Sequence, residues 1–564
     1  MNSQSLPPLL ANPLDHKPFP LRSLSAFHAD IVIVGTGIAG LSAAISAANK
    51  GLHVMLLSKG DISDTNTQWA QGGIAAAVGA DDSPELHASD TIRLGYGLSE
   101  HGIVEAFTGA GPEAIHWLNE MGMPFDLSPN GELHLEREGG HRVSRILHSA
   151  GTATGRELQR TLVSQVRSHA LIDVYHSTRA IELLKDGNGK VSGIVAMTKS
   201  SGHKSFETVI FEGNAIVLAT GGGGQIYRET TNPQQATADG LGMALRIGAE
   251  LNDLEFVQFH PTILYLAGAA RFLISEVTRG AGAKLVDKNG IEFMKDCHPD
   301  AELAPRDVVS RAIFRRMVDT HARYVGLDFS SVENPSSQFP GLARICEGFG
   351  IDIEHQLIPV RPAVHYFVGG IRSDLYGRTS VEGLFAIGEC ASTGFHGANR
   401  MGSNSLLEGL VHGRICGEFL ADNLPNRTNW QFDEKPTPSR LIDVPLNLND
   451  ITYSLKSLMT SDVGVERDAD GLHEASLLIH NWESYMSRLM PFSAHGIEVL
   501  NMIQVAQAVT WCAQFRLESR GAHFRRDFPE TDARWQSHTR LQPFPESCQI
   551  FTSPTSWQNK EVIL

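Results

Sequence analysis

The chain has 564 residues, of which 42% are hydrophobic and 20% charged, and its formal net charge is −16. This length exceeds what one hydrophobic core supports, so about two to four domains are expected. The acidic balance argues against a nucleic-acid-binding or anionic-membrane surface, and no apolar segment reaches the about 18 residues that a spanning helix needs. The six cysteines form no CxxC pair, which predicts a reducing compartment, the cytoplasm, and argues against an iron–sulfur or zinc site.

The first 28 residues are expected to form a disordered tail. They contain five prolines, at positions 7, 8, 13, 18 and 20, and lack the basic start and unbroken apolar core of a signal peptide. Such a segment buries too little apolar surface to order itself. The end of the chain, Phe544–Leu564, shows little pattern and is expected to fray.

The segment Ala29–Lys59 predicts a strand, a tight turn, a helix and a second strand. The apolar run Ile31–Val34 precedes GTGIAG at 35–40, a small-residue helix pattern to Lys50 and a second apolar run, Val54–Leu57. Glycines at this spacing permit a tight turn, close approach of a pyrophosphate and close helix packing, with the helix N-terminus facing the negative charge. The cofactor contacts predicted here are Gly35, Thr36, Gly37, Ile38, Ala39 and Gly40.

Lys59 ends the second strand, where an acidic residue commonly holds the ribose of a dinucleotide. The ribose must therefore be held in another way, and FAD fits better than NAD. A polar, glycine-ended loop follows at the same sheet edge and is expected to line the cofactor. The predicted contacts are Lys59, Asn66, Thr67, Gln68, Trp69, Ala70, Gln71, Gly72 and Gly73.

Two apolar strands that end in glycine, Ala215–Leu218 and Gly383–Ile387, lie far apart in the chain. Their separation predicts one sheet interrupted by an insertion. We therefore expect an α/β fold with a discontinuous Rossmann-like FAD-binding domain, an inserted α+β capping domain and, after a proline-rich linker at Asn423–Pro445, a C-terminal helical domain. The predicted boundaries are 29–253 and 367–436 for the FAD-binding domain, 254–366 for the cap and 437–564 for the helical domain.

Several segments in or beside the predicted cap place arginine or histidine next to glycine or proline. Taken singly, such residues are most often structural: a satisfied buried histidine, or an ion-paired arginine at a helix start. Gathered at one cleft, they would form a receptor for a dicarboxylate, because the planar guanidinium pairs bidentately with carboxylates. The segments are Gln258–Thr262, Ser275–Gly280, Pro305–Asp307, His365–Tyr366 and His396–Leu406.

Ten motifs carry a resemblance to a known family. They are GTGIAG, AQGGIAAA, REGGH, FVQFHPT, SEVTRGAGA, APRDVVSRAI, HYFVGGI, GLFAIGECA, HGANRMGSNSLLEGL and ESRGAHFRRDFPE. Together they resemble the succinate dehydrogenase/fumarate reductase flavoprotein family, and within it the L-aspartate oxidases, over Asp30–Pro529. The resemblance implies noncovalent FAD, hydride transfer from C2 of L-aspartate to flavin N5 to give iminoaspartate, and reoxidation by oxygen or fumarate.

The resemblance also implies a place at the first step of quinolinate and NAD synthesis, with quinolinate synthase as a candidate partner and no nucleic-acid or membrane partner. It assigns roles to residues that match the family's motifs. Arg306 matches the acid/base arginine, and Glu276 and Arg279 match the route that passes protons to it. The implied substrate contacts are Glu138, His260, Ser275, His365 and Arg400, and the further cofactor contacts are Asp239, Glu389, Ser405 and Leu406.

Two residues favour the amino-acid oxidases within the family. Asn66 stands where the respiratory enzymes have the histidine that is covalently joined to flavin. Glu138 matches the carboxylate that faces the substrate ammonium, a group that succinate lacks. We expect Glu138 in a loop flexible enough to close over the site; the alternative is a solvated glutamate paired with Arg137 or Arg142.

The chain departs from the family pattern at three positions, Ser275 in place of threonine, Ala281 in place of glutamate and Thr152 in place of aspartate. Two other functions remain open at this point: a soluble fumarate reductase or succinate dehydrogenase flavoprotein subunit, and a flavin-bearing binding protein of the RNA-modification or scaffold type. The sequence also leaves open whether Arg306 acts as a base in aspartate oxidation or serves electrostatically, because the pKa of arginine lies above about 12.

Overall fold

The computed structural model describes residues 3–9, 11–199, 206–267, 272–426, 428, 430 and 446–555. Most of the predicted linker Asn423–Pro445, and with it the domain boundary placed after residue 436, lies outside the described residues.

The strands are numbered in chain order. They are β1 Ser3–Leu6, β2 Ala26–His28, β3 Ile31–Val34, β4 Val54–Leu57, β5 Ile74–Ala75, β6 Leu135–Glu136, β7 Ile146–Leu147, β8 Ile172–Tyr175, β9 Thr178–Lys185, β10 Val191–Lys199, β11 Phe206–Glu212, β12 Ala215–Leu218, β13 Leu251–Asn252, β14 Val257–Leu264, β15 Lys284–Val286, β16 Val325–Asp328, β17 Ile358–Phe367, β18 Gly370–Arg372, β19 Leu384–Ala386, β20 Ala391–Ser392, β21 His538–Pro543 and β22 Cys548–Ser553.

The α-helices are numbered in the same way. They are α1 Ile38–Asn49, α2 Pro84–Leu94, α3 His101–Glu120, α4 Thr154–Ser168, α5 Asp239–Ile247, α6 Glu276–Gly280, α7 Met294–Cys297, α8 Arg306–Asp319, α9 Pro335–Gln338, α10 Pro340–Gly348, α11 Asn404–Asp422, α12 Leu448–Asp462, α13 Ala469–Leu489 and α14 Ala494–Phe515. None of the helices in the described ranges is long and apolar enough to cross a membrane.

A five-stranded parallel sheet forms the centre of the molecule, in the order β19-β12-β3-β4-β8. The inner strands β3, β4 and β12 are wholly apolar and buried, as is typical of a parallel sheet covered on both faces, whereas the edge strand β8 carries the exposed Asp173. Strand β19 arrives after the inserted segment and pairs beside β12, so the sheet is built from two separate parts of the chain, as predicted. Helices α1 and α11 pack closely because glycine allows it: a Cβ at Gly413 would lie 2.4 Å from the Ala39 carbonyl oxygen.

The inserted segment has its own sheet and its own hydrophobic core. Strands β14, β17, β16 and β15 pair antiparallel in that order, and a cluster of buried residues between Leu264 and Val360 packs them against α8 and α10. Strands β14 and β17 are neighbours, with His260 opposite Ala363. This pairing brings the histidines of two distant motifs to one place.

The first 28 residues differ from the prediction of a disordered tail. Strand β1 pairs with β22, with Ser3 opposite Phe551, and β2 pairs with β11. Leu14 and Leu21 are 1% and 0% exposed in the main core. The prolines prevent a long helix but not short extended pieces that find partners elsewhere in the fold.

The C-terminal part is helical only over α12 to α14. It continues into the hairpin of β21 and β22, which joins a six-stranded sheet in the order β1-β22-β21-β13-β18-β20. The expectation that Phe544–Leu564 frays is therefore wrong for Cys548–Ser553, and residues 556–564 lie outside the described ranges. The two strands of this hairpin pair along their length, from His538 opposite Ser553 to Pro543 opposite Cys548, and β22 also pairs with β1, a distant partner that a local sequence pattern does not reveal.

Candidate active site

One cavity runs along the carboxyl edge of the parallel sheet and under the inserted segment. Most of the residues that the sequence predicted for the cofactor line it. Gly40 and Gln68 do not. Those that do are Gly35, Thr36, Gly37, Ile38, Ala39, Lys59, Asn66, Thr67, Trp69, Ala70, Gln71, Gly72, Gly73, Asp239, Glu389, Ser405 and Leu406.

The three glycines of the turn have different tasks. Gly35 has a φ of +114°, and a Cβ there would lie 2.1 Å from the Ala219 carbonyl oxygen. A Cβ at Gly40 would lie 2.0 Å from the carbonyl oxygen of Gly35, so Gly40 serves helix packing. At Gly37, by contrast, a Cβ would touch only Thr67 Oγ1, at 3.4 Å. The free space at Gly37 belongs to the cavity, as expected where a pyrophosphate approaches the backbone.

Lys59 lines the cavity, but its ammonium already donates hydrogen bonds to other groups of the protein. Nζ lies 2.5 Å from Thr237 Oγ1, 2.7 Å from Asp239 Oδ2 and 2.8 Å from Glu498 Oε1. An ammonium has three protons to donate, so Lys59 holds two carboxylates in place. Burial alone would raise the pKa of Asp239, but Lys59 outweighs it and the pKa is lowered. A direct contact between Lys59 and a cofactor stays a prediction.

Asn66 takes part in a buried hydrogen-bond chain. Its Nδ2 donates to Glu389 Oε2 at 3.2 Å, and the other oxygen of Glu389 accepts from the backbone N–H of Phe367 at 3.1 Å. Burial raises the pKa of Glu389 to about 7. An amide side chain has no nucleophilic ring nitrogen, so this position offers hydrogen bonding and no covalent link.

The opposite part of the cavity collects the predicted substrate residues from five segments of the chain. Glu138 comes from the loop after β6, His260 from β14, Ser275 from the start of α6, His365 from β17 and Arg400 from the loop before α11. The predicted proton-route residues Glu276 and Arg306 line the cavity too, whereas Arg279 does not. The structure thus brings together all five predicted substrate contacts.

Arg400 is 3% exposed. Its Nε donates to Gln258 Oε1 at 3.2 Å, its Nη1 donates to Ser405 Oγ at 3.0 Å, and its guanidinium lies 4.8 Å above the ring of Tyr366. No described residue accepts a hydrogen bond from Nη2. Burial, reinforced by Arg306, lowers the pKa of Arg400 to about 10, so the group stays cationic at neutral pH and its remaining N–H groups suit a carboxylate.

Arg306 begins α8 and donates its Nε–H to Glu276 Oε1, at the start of α6. Arg279 Nη2 lies 3.6 Å from the same oxygen and its Nη1 donates to the Glu302 carbonyl. Burial alone would raise the pKa of Glu276, but the two cations lower it. The carboxylate is therefore ionised between two guanidiniums, one on the cavity wall and one behind it.

His260 and His365 face each other with ring centroids 5.5 Å apart. Burial, with the nearby arginines, lowers the pKa of both well below its ordinary value, so both rings are neutral. The backbone N–H of Thr262 donates to His260 Nδ1 at 3.3 Å, which places the proton on Nε2. That Nε2 is buried without a partner among the described residues. An unpartnered buried donor is costly unless a ligand accepts from it.

Glu138 is 7% exposed, and Ser403 Oγ donates to its Oε2 at 2.8 Å. Burial and the nearby Glu276 raise the pKa of Glu138. The alternative, a solvated glutamate, is therefore wrong, and Arg142 pairs with Asp90 at 2.5 Å instead of with Glu138. Closure of the loop over the site stays a prediction.

Three residues of the site were missed by the sequence analysis. Gln258 links Arg400 and Arg306 through one amide oxygen, at 3.2 and 3.4 Å. Because it lies two residues before His260 on β14, strand alternation alone would have placed it on the same face. Ser403 and Glu498 carried no signal, since each acts through a partner far away in the chain.

The cavity fits an FAD molecule. Backbone from Gly35 to Ala39 lines it at the start of α1, and Gly37 has no side chain with which to cap that helix. Thr67 Oγ1 accepts from the Ile38 N–H at 3.0 Å, and the N–H groups of the rest of the first turn, with open space at Gly37, provide a site for a pyrophosphate. The same cavity reaches the cationic residues Arg306 and Arg400, so one continuous space can hold a dinucleotide and a small anion.

Comparisons with known proteins agree with this arrangement. The FAD binding domain family model matches residues 30–406, and the fumarate reductase flavoprotein C-terminal model matches 452–561. L-aspartate oxidase of Streptomyces coelicolor is 40% identical, covering 92% of each chain. That of Bacillus subtilis is 39% identical, covering 94% of this chain and 97% of its own.

Among solved structures, FrdA of E. coli quinol fumarate reductase matches with a TM-score of 0.86 at 31% identity, covering 96% of this chain and 98% of its own. A quinol-fumarate reductase solved with menaquinol molecules gives a TM-score of 0.86 at 32% identity, with 96% and 100% covered. At this TM-score and coverage, both neighbours share the overall fold of this chain. The chain therefore belongs to the L-aspartate oxidases of the succinate dehydrogenase/fumarate reductase flavoprotein family.

Proposed function

We propose that the protein is an FAD-dependent L-aspartate oxidase that converts L-aspartate to iminoaspartate. The observation that carries this proposal is the buried carboxylate of Glu138 in the same cavity as Arg400, Arg306 and two neutral histidines. A dicarboxylate without an amino group would leave this carboxylate unmatched in a dry site, which is costly. The relatives at about 40% identity carry the same activity in their names.

In the proposed binding mode, one set of residues binds the substrate carboxylates and Glu138 binds the ammonium. Arg400 pairs with a carboxylate, and His260 donates its Nε2–H to one. His365 and Ser275 add neutral groups; the Ser275 hydroxyl also accepts from the Val277 N–H at 3.4 Å, which fixes its orientation at the start of α6. Glu138 receives the ammonium. Neutral histidines suit this task because they donate hydrogen bonds without adding charge.

The charges around the cavity support a substrate with one net negative charge. At the substrate end of the cavity, two guanidiniums, of Arg306 and Arg400, line the wall with two carboxylates, of Glu138 and Glu276, and the Arg279 guanidinium lies behind Glu276. The site therefore carries one excess positive charge when both carboxylates are ionised. L-Aspartate at neutral pH carries two carboxylates and one ammonium, so it balances that charge.

FAD, when bound, accepts the electron pair that the oxidation releases. The residues of this chain position the substrate and shield it from water. The inserted segment covers the substrate end of the cavity, and Arg400 and Arg306 orient the carboxylates. Glu276 lies between Arg306 and Arg279, and this row of three is the proposed path for a proton between solvent and Arg306 in the cavity. For fumarate reduction Arg306 would donate the proton; for aspartate oxidation we propose that it acts chiefly through its charge.

Anaerobic bleaching of the flavin by separate substrates tests the proposal. L-Aspartate should bleach the flavin, whereas D-aspartate, L-glutamate and succinate should bleach it far more slowly. Bleaching by succinate as fast as by L-aspartate would support the alternative, a fumarate reductase or succinate dehydrogenase flavoprotein. Two of the solved structural neighbours are fumarate reductases. The noncovalent attachment of FAD, proposed from Asn66, is tested by a separate measurement, acid precipitation of the protein.

Two finer points belong to the same proposal. The six cysteines are all free thiols, which supports the cytoplasm as the location. The product, iminoaspartate, is the expected substrate of a quinolinate synthase, so that enzyme is the proposed partner. Sedimentation of the two purified proteins together, with and without L-aspartate, tests for a complex.

A further inference from the structure

Two loops carry the groups that the proposed function assigns to opposite parts of the substrate. The loop after β6 carries Glu138, proposed for the ammonium, and the loop before α11 carries Arg400, proposed for a carboxylate. Their separation therefore decides whether both groups reach one substrate at once. The loops meet at Gly402, where a Cβ would lie only 2.5 Å from Glu138 Oε2.

His141 joins the two loops directly. Its Nε2 lies 3.1 Å from the carbonyl oxygen of Gly402, and its Nδ1 lies 3.3 Å from Nη1 of Arg145. A guanidinium only donates, so Nδ1 accepts and the proton is on Nε2. His141 thus donates to the Gly402 carbonyl. Burial lowers the pKa of His141 to about 4, so the ring is neutral and this tautomer persists at physiological pH.

The far side of His141 is anchored rigidly. Arg145 is fully buried and donates Nε and Nη2 to Asp82, both at 2.8 Å, and Nη1 to Asp90 at 2.9 Å. Asp90 also accepts from the backbone N–H of Arg142 at 3.0 Å. Buried charge-assisted bonds of this kind leave little freedom. The His141 imidazole therefore bridges two groups: the Arg145 guanidinium, which Asp90 on α2 holds in place, and the Gly402 carbonyl.

The backbone that follows Gly402 has a strained conformation, which the hydrogen bond from His141 helps to hold. Ser403 has a φ of +61°, a left-handed conformation that a serine rarely adopts, and its Oγ donates to Glu138. A strained residue keeps its conformation only where its surroundings impose it. The hydrogen bond from His141 fixes the preceding carbonyl and so helps to impose it.

We infer that His141 is a positioning residue that sets the separation of Glu138 and Arg400, and thereby the preference for an amino dicarboxylate over one without an amino group. This inference rests on the proposed function, since it concerns how one site holds two ends of its substrate. His141 does not line the cavity, so it acts through the Gly402 carbonyl and the Ser403 hydroxyl.

Two substitutions separate this role from packing. His141→Phe keeps a ring of similar shape and removes the donor and the acceptor. His141→Gln keeps one donor and one acceptor at the end of a neutral side chain, so it can still bridge Gly402 and Arg145. His412→Phe is the matched control, because His412 is a fully buried histidine on α11 that packs beside Phe107 and contacts neither loop.

The experiment measures L-aspartate oxidation and fumarate reduction by the FAD-loaded parent and the three variants. His141→Phe should raise the KM for L-aspartate and lower kcat/KM about tenfold or more, while fumarate reduction changes less than about twofold. His141→Gln should recover most of the selectivity, and His412→Phe should leave the ratio of the two activities unchanged.

Parallel losses of both activities in His141→Phe, or failure of His141→Gln to restore selectivity in a folded, FAD-loaded protein, would overturn the inference while leaving the proposed function intact. An unchanged ratio in His141→Phe would overturn it as well. If the parent itself does not oxidise L-aspartate, the proposed function fails first, and the inference fails with it.

Discussion

The Ser403 hydroxyl donates to the Glu138 carboxylate at 2.8 Å, across 265 residues of sequence. This bond orients a buried carboxylate toward the end of the cavity that Arg306 and Arg400 line. Because succinate, fumarate and aspartate all offer two carboxylates, the arginines and histidines do not distinguish them. Glu138 is therefore the group that we propose to sense the ammonium.

Replacing Glu138 by glutamine keeps the shape of the side chain and removes its charge. Glu138→Gln should lower kcat/KM for L-aspartate by about 10- to 100-fold, the cost of losing a charged hydrogen bond, and leave fumarate reduction nearly unchanged. Steady-state rates with both substrates measure this. Glu136→Gln, in the strand just before the loop, is the matched control. If both activities fall together in Glu138→Gln, Glu138 is structural.

The raised pKa of Glu138 predicts a pH dependence that the same variant removes. As pH falls through that pKa, the carboxyl gains a proton and loses its charge toward the ammonium, so kcat/KM for L-aspartate should fall on the acid side. The acid limb should be absent from Glu138→Gln. A profile that is identical in parent and variant would assign the limb to another group.

The same shift predicts how stability depends on pH. A carboxyl whose folded pKa is raised binds its proton more tightly when folded, so its stabilising contribution is present below the unfolded pKa and is lost as pH rises through the folded pKa. Glu138→Gln should therefore have a higher Tm than the parent above that pKa, with a smaller difference below it. Thermal unfolding across a pH series measures this; a lower Tm in the variant at high pH would contradict the raised pKa.

Arg400→Leu should weaken the binding of every dicarboxylate. Breaking one partner of a buried charged pair costs about 2–5 kcal/mol, so the KM for L-aspartate and the inhibition constant of succinate should rise together. Inhibitor titrations on the FAD-loaded variant measure this. Arg414→Leu, on helix α11 that follows the Arg400 loop and paired with Glu113 at 2.8 Å, should leave both constants unchanged. Unaltered inhibition in Arg400→Leu would make Arg400 purely structural.

Arg306→Leu should affect chemistry more than binding. Proton donation contributes about 10²–10⁴-fold to a rate, so fumarate reduction should fall by that range while FAD remains bound. Arg311→Leu, on α8 beside Phe524, is the control. Near-parental fumarate turnover in Arg306→Leu would show that the route through Glu276 and Arg279 is wrongly assigned.

The residues at positions 66 and 37, Asn66 and Gly37, predict how FAD is attached and what abolishes its binding. Precipitation in acid should release the yellow colour to the supernatant, because Asn66 does not form a covalent link. Gly37→Val should fold but not retain FAD, since a side chain there meets only Thr67 within the protein and fills the space of the pyrophosphate. Colour in the acid pellet, or FAD retained by Gly37→Val, would contradict these assignments. Gly102→Val, at an open position on α3, controls for the substitution.

The local sequence was enough to predict the dinucleotide turn at 35–40, the interrupted sheet and the residue types around a dicarboxylate. A strand, its turn and its helix depend on residues within about thirty positions, and glycine spacing reports directly on where backbone must approach a ligand. The resemblance to a family then supplied the roles of Glu138, Arg306 and Arg400, which no local pattern contains.

Only the tertiary structure decided what holds these groups. The first residues are ordered because Ser3–Leu6 completes the edge of a sheet formed with Cys548–Ser553, the far end of the chain. Arg145, at the end of the Glu138 loop, pairs with the buried carboxylates of Asp82 and Asp90, which lie more than 50 residues earlier in the chain. In each case the stabilising partner is distant in sequence, and a hydrogen bond or ion pair gains its strength from burial that only the folded chain creates.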